Sequence, residues 1–239
     1  MRNISRYLCA IALFFLAASC SRPAEEPIPK PVPKPPAKKP RELVADQNVV
    51  LPAIGPLIMI DAGHGGTDTG AKGRLAPEYQ EKNLTLTTAT MLKKFLSQMG
   101  YQTVMMRQTD VFIDRYERAR IANRKNPDLF VSIHFNFAAA IEASGIEVFY
   151  YRSEDNPDRS KESKRIAQAI LSKVLDSTGA KSRGVKHGNY AVVRETAMPA
   201  VLIEGGFLTN EDEMNKLKDP AYLKRLAWGI AQGISATVK

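Results

Sequence analysis

From residue 57 onward, short apolar runs alternate with longer amphipathic stretches, and nothing else in the 239 residues constrains the fold as much. Residues 57–60, 103–106, 129–133, 146–151, 191–194 and 200–203 are short and rich in branched side chains, as strands buried on both faces tend to be. Between them, residues 83–99 space apolar side chains at helical intervals and stop at Gly100. Residues 114–123, 161–175, 211–217 and 222–238 read as further helices by the same spacing. Strand following helix in this order predicts an α/β fold: a single, mostly parallel twisted sheet of about six strands with helices on both faces. The chain shows no internal repeat, no helix-turn-helix and no aromatic platform for nucleic acid.

The segment ahead of this domain has a different character. Arg2 and Arg6 precede an apolar stretch over residues 8–18, which closes on Leu16-Ala17-Ala18-Ser19-Cys20, the layout of an export signal over residues 1–19. The stretch is about half the roughly 20 apolar residues a spanning helix needs, which argues against a retained transmembrane helix. Eight of the fifteen prolines then fall between Pro23 and Pro40, interleaved with Lys30, Lys34, Lys38 and Lys39. Such a run favours polyproline II, and at roughly 3.1 Å per residue it is expected to act as a spacer on the order of 55 Å long. The expected organisation is a signal over 1–19, a linker over 20–56 that begins at Cys20, and a folded domain over 57–239.

This division changes the meaning of the charge. The chain carries a formal +9, which invites a nucleic-acid or anionic-surface reading. Residues 22–42 hold a net +3 and the signal another +2, which leaves +4 for residues 43–239. Much of the excess therefore lies in the segments expected near a membrane. Small residues ahead of Cys20 also resemble the bacterial lipobox, in which the cysteine becomes the lipidated first residue; a simply cleaved signal is the alternative. On the lipobox reading neither Cys9 nor Cys20, the two cysteines of the chain, is free for a disulfide or a metal.

The chemistry-bearing residues stand at the ends of apolar runs. The first strand delivers Asp61-Ala62-Gly63-His64-Gly65-Gly66, and a later one delivers Val131-Ser132-Ile133-His134-Phe135-Asn136. Two of the three histidines thus terminate predicted parallel strands, where open α/β sheets bind ligands. A phosphate-cradling loop fits poorly, because no Gly-Lys-Ser/Thr follows. Catalytic zinc commonly takes two histidines and a carboxylate and leaves a fourth position for water. Two carboxylates stand out: Glu81, which opens a helix, and Glu204, which ends the apolar run 201–203. A glutamate in the second setting is costly unless it is paired, hydrogen-bonded or working. Glu81 could equally be a favourable charge at a helix N-terminus, and the histidines an incidental pair in glycine-rich turns.

Asp61-Ala62-Gly63-His64-Gly65-Gly66 with Asp68 and Gly70-Ala71, Glu81-Lys82-Asn83-Leu84, Ser132-Ile133-His134-Phe135-Asn136, and Pro199 through Asn210 resemble, in order, the motifs of bacterial zinc-dependent N-acetylmuramoyl-L-alanine amidases with a six-stranded sheet. Arg183-Gly184-Val185-Lys186 is similar to the stretch that precedes the family's penultimate strand. The resemblance covers 57–239; Thr69 stands where the family usually has proline, and Gly206 where a larger residue is common. It implies zinc held by His64, Glu81 and His134, with Glu204 as the catalytic glutamate. The implied reaction is hydrolysis of the amide between N-acetylmuramic acid and L-alanine in peptidoglycan, during cell-wall remodelling or division. That route needs neither Ser nor Cys, and the chain has no Ser-x-x-Lys.

Some amidases of this kind carry an inserted helix that plugs the zinc site until a partner removes it. Here only residues 152–159 separate the corresponding strand from the next helix, so the site is expected to be open without an obligatory activator. The expected setting is an exported, periplasmic, membrane-anchored lipoprotein that acts on peptidoglycan and binds no nucleic acid. Asn136, Arg183 and Arg194 are candidates for meeting substrate carboxylates or carbonyls, since stem peptides are anionic. His187 reads as a loop residue, and Phe135, Phe137, Phe149, Tyr150 and Tyr151 as packing. The competing functions are a peptidase cutting within the stem peptide and a catalytically silent wall-binding lipoprotein.

Overall fold

A computed structural model of the chain describes residues 55–73 and 79–239. The expected signal over 1–19, Cys20 and the linker as far as residue 54 lie outside the described residues.

Six strands form one sheet: β1 (Leu57–Ala62), β2 (Gln102–Met105), β3 (Leu129–Asn136), β4 (Ile146–Tyr150), β5 (Ser182–His187) and β6 (Ala200–Phe207). Their order is β2-β1-β3-β6-β4-β5, and every neighbouring pair is parallel except β4 and β6. Among the described residues six helices accompany the sheet: α1 (Glu81–Gln98), α2 (Arg115–Lys125), α3 (Pro157–Thr178), α4 (Ala191–Arg194), α5 (Glu211–Leu217) and α6 (Pro220–Ser235). The α/β fold with helices on both faces is therefore as the alternation predicts.

The two faces have separate cores, because side chains alternate along each strand. Ile58 and Ile60 of β1, Val131 and Ile133 of β3, and Val201 and Ile203 of β6 pack with α1, α3 and α6. Met59, Phe130, Ala200 and Leu202 point the other way and pack with Ala122 of α2 and Val192 and Val193 of α4. On this second side the pattern turns polar toward the ends of the strands, and Asp61, Ser132, His134 and Glu204 replace aliphatic residues. In the ladder His134 stands opposite Glu204, and Glu204 opposite Glu147 of β4, which makes one row of ionisable side chains across three strands.

Local chemistry sets the helix ends. Asp114 accepts from the backbone N–H groups of Tyr116 and Glu117, Asn156 from Arg159, and Asp219 from Ala221, so α2, α3 and α6 each begin on a side-chain cap. Pro157 and Pro220 sit at first-turn positions, where no N–H is missed. Helices α1 and α4 are the exceptions: Gln80 and Tyr190 ahead of them offer no side-chain cap.

One expected strand is a helix. Residues 191–194 form α4, a single turn that buries Ala191, Val192 and Val193, with Val193 and Arg194 donating to Tyr190 O and the N–H of Glu195 to Ala191 O. A four-residue apolar run has no period by which to distinguish a buried turn from a buried strand. The sixth strand is β5, whose Val185 is its single aliphatic side chain among Ser182, Arg183, Gly184, Lys186 and His187. It is an edge strand, half-exposed along most of its length, and carries no apolar alternation to reveal it.

Candidate active site

The loop after β1 brings His64 to the C-terminal edge of the sheet in a left-handed conformation, φ 60°, which is costly for a residue with a side chain. His134 arrives on β3 and Glu81 on the first turn of α1. Their ligating atoms converge: Glu81 Oε1 lies 3.0 Å from His64 Nε2 and 2.9 Å from His134 Nδ1, and the two nitrogens are 3.2 Å apart. These three side chains form a His–Glu–His group able to hold a metal ion. Two imidazole nitrogens and one carboxylate oxygen are the donor set that zinc accepts in sites with a position left open.

Each member of the group is oriented from behind. Asp68 Oδ2 lies 2.8 Å from His64 Nδ1, which makes that nitrogen the protonated one and turns the Nε2 lone pair toward the cluster. Glu81 Oε2 accepts from Ala71 N at 2.8 Å, and Oε1 from Phe135 N at 3.0 Å. The glycines around the cluster are there for space. A Cβ on Gly63 would clash with the His134 ring, and one on Gly70 would lie 2.5 Å from Glu81 Oε2.

The electrostatics favour a cation. Burial raises the Glu81 carboxyl, but its hydrogen bonds and charge interactions with His134 and His64 outweigh that and hold it far below the usual range. Burial lowers the His64 imidazole, yet Glu81 and Asp68 together leave it above the ordinary histidine value. The surroundings that would keep a proton here also attract a metal ion.

Glu204 is different in kind. It is 8% exposed, and among the described residues its Oε2 is the single buried side-chain nitrogen or oxygen with no hydrogen-bond partner. Burial, and then the charges of Glu81 and Glu147, push its carboxyl well above the usual range. It lines the same cavity of about 460 Å³ as His64, Glu81, His134 and Asn136. All four residues expected to carry the chemistry are thus in one place.

Other expectations divide. His187, expected in a loop, instead ends strand β5, where it accepts from Arg152 N at 3.0 Å and packs on Tyr151. Arg194 is bonded to Glu195 and Asn189. Asn136 and Arg183 both reach Glu147, which is 4% exposed and also takes a bond from Lys186. Phe135, Phe149 and Tyr150 are buried as expected, but Phe137 is 61% exposed at the cavity rim.

The support beneath the cluster does not show in local sequence pattern. Asp61, fully buried, accepts from Arg118 at 2.5 Å and from Ser132 Oγ at 2.8 Å. Arg118 also donates to the carbonyls of Ala62 and His64, and Arg107 to those of Ala62 and Gly63, so two buried guanidiniums grip the backbone around His64. The available signal was Asp61 itself, a charged residue that continues an otherwise apolar strand.

A cluster able to hold a metal ion, set beside an isolated buried glutamate at a sheet edge, is the arrangement of a metal-assisted hydrolase. The chain belongs to the N-acetylmuramoyl-L-alanine amidase family, whose model matches residues 58–236. It is 35% identical over 182 residues to N-acetylmuramoyl-L-alanine amidase LytC of Bacillus subtilis, spanning 76% of this chain but 35% of LytC. An N-acetylmuramoyl-L-alanine amidase structure from Clostridium difficile 630 is similar at a TM-score of 0.72 and 36% identity, covering 77% of this chain and 97% of that one. The CwlD amidase of Clostridioides difficile, solved in complex with the GerS lipoprotein, is similar at 0.69 and 27% identity, covering 76% and 98%. The chain is accordingly an enzyme that hydrolyses an amide of peptidoglycan.

Proposed function

We propose that His64, Glu81 and His134 hold a zinc ion and that Glu204 is the general base and acid for cleavage of the bond between N-acetylmuramic acid and L-alanine. The observation that carries this reading is Glu204 itself, whose buried Oε2 has no hydrogen-bond partner and whose side chain lines the cavity that holds the cluster. A buried carboxylate without a partner is costly to the fold, and a role in proton transfer accounts for its retention. When bound, zinc supplies a Lewis acid for the scissile carbonyl and lowers the pKa of water to about 7.

The protein's own groups do the rest. Asp68 fixes the His64 ring so that Nε2 faces the cluster, and the N–H groups of Ala71 and Phe135 fix both Glu81 oxygens. Glu204 takes a proton from the attacking water and passes it to the departing alanine nitrogen. Its raised pKa suits both halves of that task, because a carboxylate with an ordinary pKa is a weak base and a poor proton donor near neutral pH.

The connection between β4 and α3 is 151–156, too short for a plugging helix, which supports a site that works without an obligatory activator. A related amidase found in complex with a lipoprotein makes this worth testing directly. Export and lipid attachment at Cys20 rest on Arg2, Arg6 and the apolar stretch ahead of the cysteine, and place the enzyme at a periplasmic membrane surface, facing the wall. No described helix is long and apolar enough to cross a membrane.

The test is digestion of purified peptidoglycan by the purified protein alone, with and without chelator, and by Glu204→Gln. Release of stem peptides with free L-alanine amines, abolished by chelation and by the substitution, is expected. Shortened stems would mean a peptidase, and no product at all would mean a binding protein. Activity that survives Glu204→Gln would remove the role of that residue.

A further inference from the structure

We propose that Arg107 is a positioning residue for the metal: its guanidinium fixes the first turn of α1, which carries Glu81, against the end of β1, which leads to His64. The proposal rests on the reading of His64, Glu81 and His134 as the metal ligands.

Two of these three ligands belong to the sheet. His134 lies within β3, and Gly63, just ahead of His64, donates to Ile133 O at 3.1 Å, so the ladder between β1 and β3 sets the two histidines against one another. Glu81 arrives from outside the sheet, on α1. That helix starts without a side-chain cap, and the N–H groups of Glu81 and Lys82 go to Ala71 O and Thr69 O in the loop that precedes it. Metal–ligand distances are held to about 0.2 Å, and a loop alone is a soft reference for them.

Arg107 spans the gap between sheet and helix. It follows β2, where Met106 N donates to Ile60 O at 2.8 Å, and it is 3% exposed. Toward the sheet, Nε donates to Ala62 O and Nη2 to Gly63 O, each at 2.9 Å. Toward the helix, Nη2 donates to Lys82 O at 2.7 Å and to Thr85 Oγ1 at 3.1 Å. Nη1 donates to Thr109 O at 3.1 Å and steadies the plane of the group. Arg118 makes the contrast: its bonds go to Ile113 O, Asp61, Ala62 O and His64 O, none of them on α1.

A second tie depends on this one. The Thr85 hydroxyl has one hydrogen and two carbonyls within reach, Gly63 O at 2.8 Å and Lys82 O at 3.0 Å. With Arg107 donating to Lys82 O, that hydrogen goes to Gly63 O and joins α1 to the end of β1 again.

None of the Arg107 bonds goes to a carboxylate. A buried guanidinium without a bonded counter-charge is costly, and a joint between two elements that carry metal ligands accounts for its retention. Lysine would keep the charge but lose the joint, because one ammonium cannot reach acceptors on both elements as a planar fork of five N–H groups does.

The experiment is a double-mutant cycle of Arg107→Lys with Glu81→Gln, read as the zinc affinity of the metal-free protein. Competition against a chromophoric chelator serves for tight binding and direct calorimetric titration for weak. If Arg107 acts by placing Glu81, its replacement matters only while Glu81 is a ligand. Arg107→Lys alone is expected to lower affinity about 10-fold to 100-fold. Once Glu81 is replaced by glutamine, the further loss should be less than about threefold. With cobalt in place of zinc, the visible spectrum of Arg107→Lys should differ from that of the native protein, since the bands report ligand geometry. Thr85→Val, close in size to the native side chain, should show the same non-additivity on a smaller scale, and it carries the test if Arg107→Lys does not fold. Equal losses in the two backgrounds would mean general support of the fold and would overturn the proposal, as would an unchanged affinity in native protein and variant alike. A native protein that binds no zinc removes the metal reading itself; one that binds zinc but cleaves no peptidoglycan leaves the role of Arg107 standing.

Discussion

Asp61 and Glu204 are both buried carboxylates on the same face of the sheet, yet they are treated in opposite ways. Asp61, with no exposed surface, receives a guanidinium from Arg118 and a hydroxyl from Ser132. Glu204, 8% exposed, has an oxygen to which no described group donates a hydrogen bond and two further carboxylates nearby, Glu81 and Glu147. Placing charge in a low-dielectric interior is expensive in both places. Where the fold supplies a partner, the charge is scaffold: Arg118, anchored by Asp61, holds the backbone that presents His64. Where the fold withholds one, the group is left with the proton-transfer role proposed for Glu204.

The largest expected effect is on activity. Glu204→Gln should lower kcat on the order of 10³-fold, within the range for general acid–base catalysis. Because the neutral amide relieves a buried, crowded carboxylate, its melting temperature should equal or exceed that of the native protein. A variant that is active but unstable would make Glu204 a scaffold residue like Asp61, and the contrast would fail.

Asp61→Ala should do the reverse and act first on stability. Removing one partner of a buried ion pair leaves Arg118 uncompensated, at a cost of about 3 to 5 kcal/mol in denaturant unfolding. Replacing Asp61 and Arg118 together with apolar residues should recover much of the loss in stability but not the activity, because the carbonyl of His64 would lose its donor. A single Asp61→Ala substitution that left unfolding unchanged would show that the pair contributes nothing to the fold.

The same contrast marks what the sequence made legible. His64, His134, Glu81 and Glu204 each stand where an apolar run or a helix ends, so local pattern alone makes them conspicuous, and the family resemblance gives them roles. Asp61 and Arg118 are 57 positions apart and meet only once α2 is laid over β1. Glu147 gains its meaning from β5, and β5 has no apolar pattern by which to be found. Residues 191–194 read as a strand in sequence because branched side chains suit either a strand or one buried turn; packing against Phe130 and Leu202 decides for the turn. The periodic elements, and the site residues at the ends of those elements, are written locally, whereas the supporting charges are written in tertiary contacts.

A smaller effect is expected at Asp68, which is bonded to His64 Nδ1 and, on the proposed reading, orients that ring toward the metal. Asp68→Asn should weaken metal affinity about 10-fold to 100-fold, the usual cost of losing an outer hydrogen-bonding partner, while leaving unfolding of the metal-free protein little changed. Competition against a chromophoric chelator reads this directly. Unchanged affinity would mean that the loop backbone alone orients His64.

The smallest effect isolates the free carboxylate by its pH dependence. The pKa of Glu204 in the folded protein lies well above the ordinary value of 4.5, so between the two values the native state binds more protons than the unfolded one. Stability then falls as pH rises through that window, at up to about 1.4 kcal/mol per pH unit. Glutamine does not titrate, and Glu204→Gln should escape this loss. The stability difference between variant and native protein, measured without metal, should therefore be flat below about pH 4, widen in favour of the variant as pH rises, and level off above the folded pKa. Glu81 contributes with the opposite sign in both proteins: its depressed pKa gives stability that is present above its unfolded value and lost as pH falls. To the extent that its own titration is unchanged by the substitution, Glu81 cancels in the difference, which leaves the bare carboxylate as the source of the slope. A difference that narrowed with rising pH would mean that Glu204 finds a charged partner in solution, and its contrast with Asp61 would be lost.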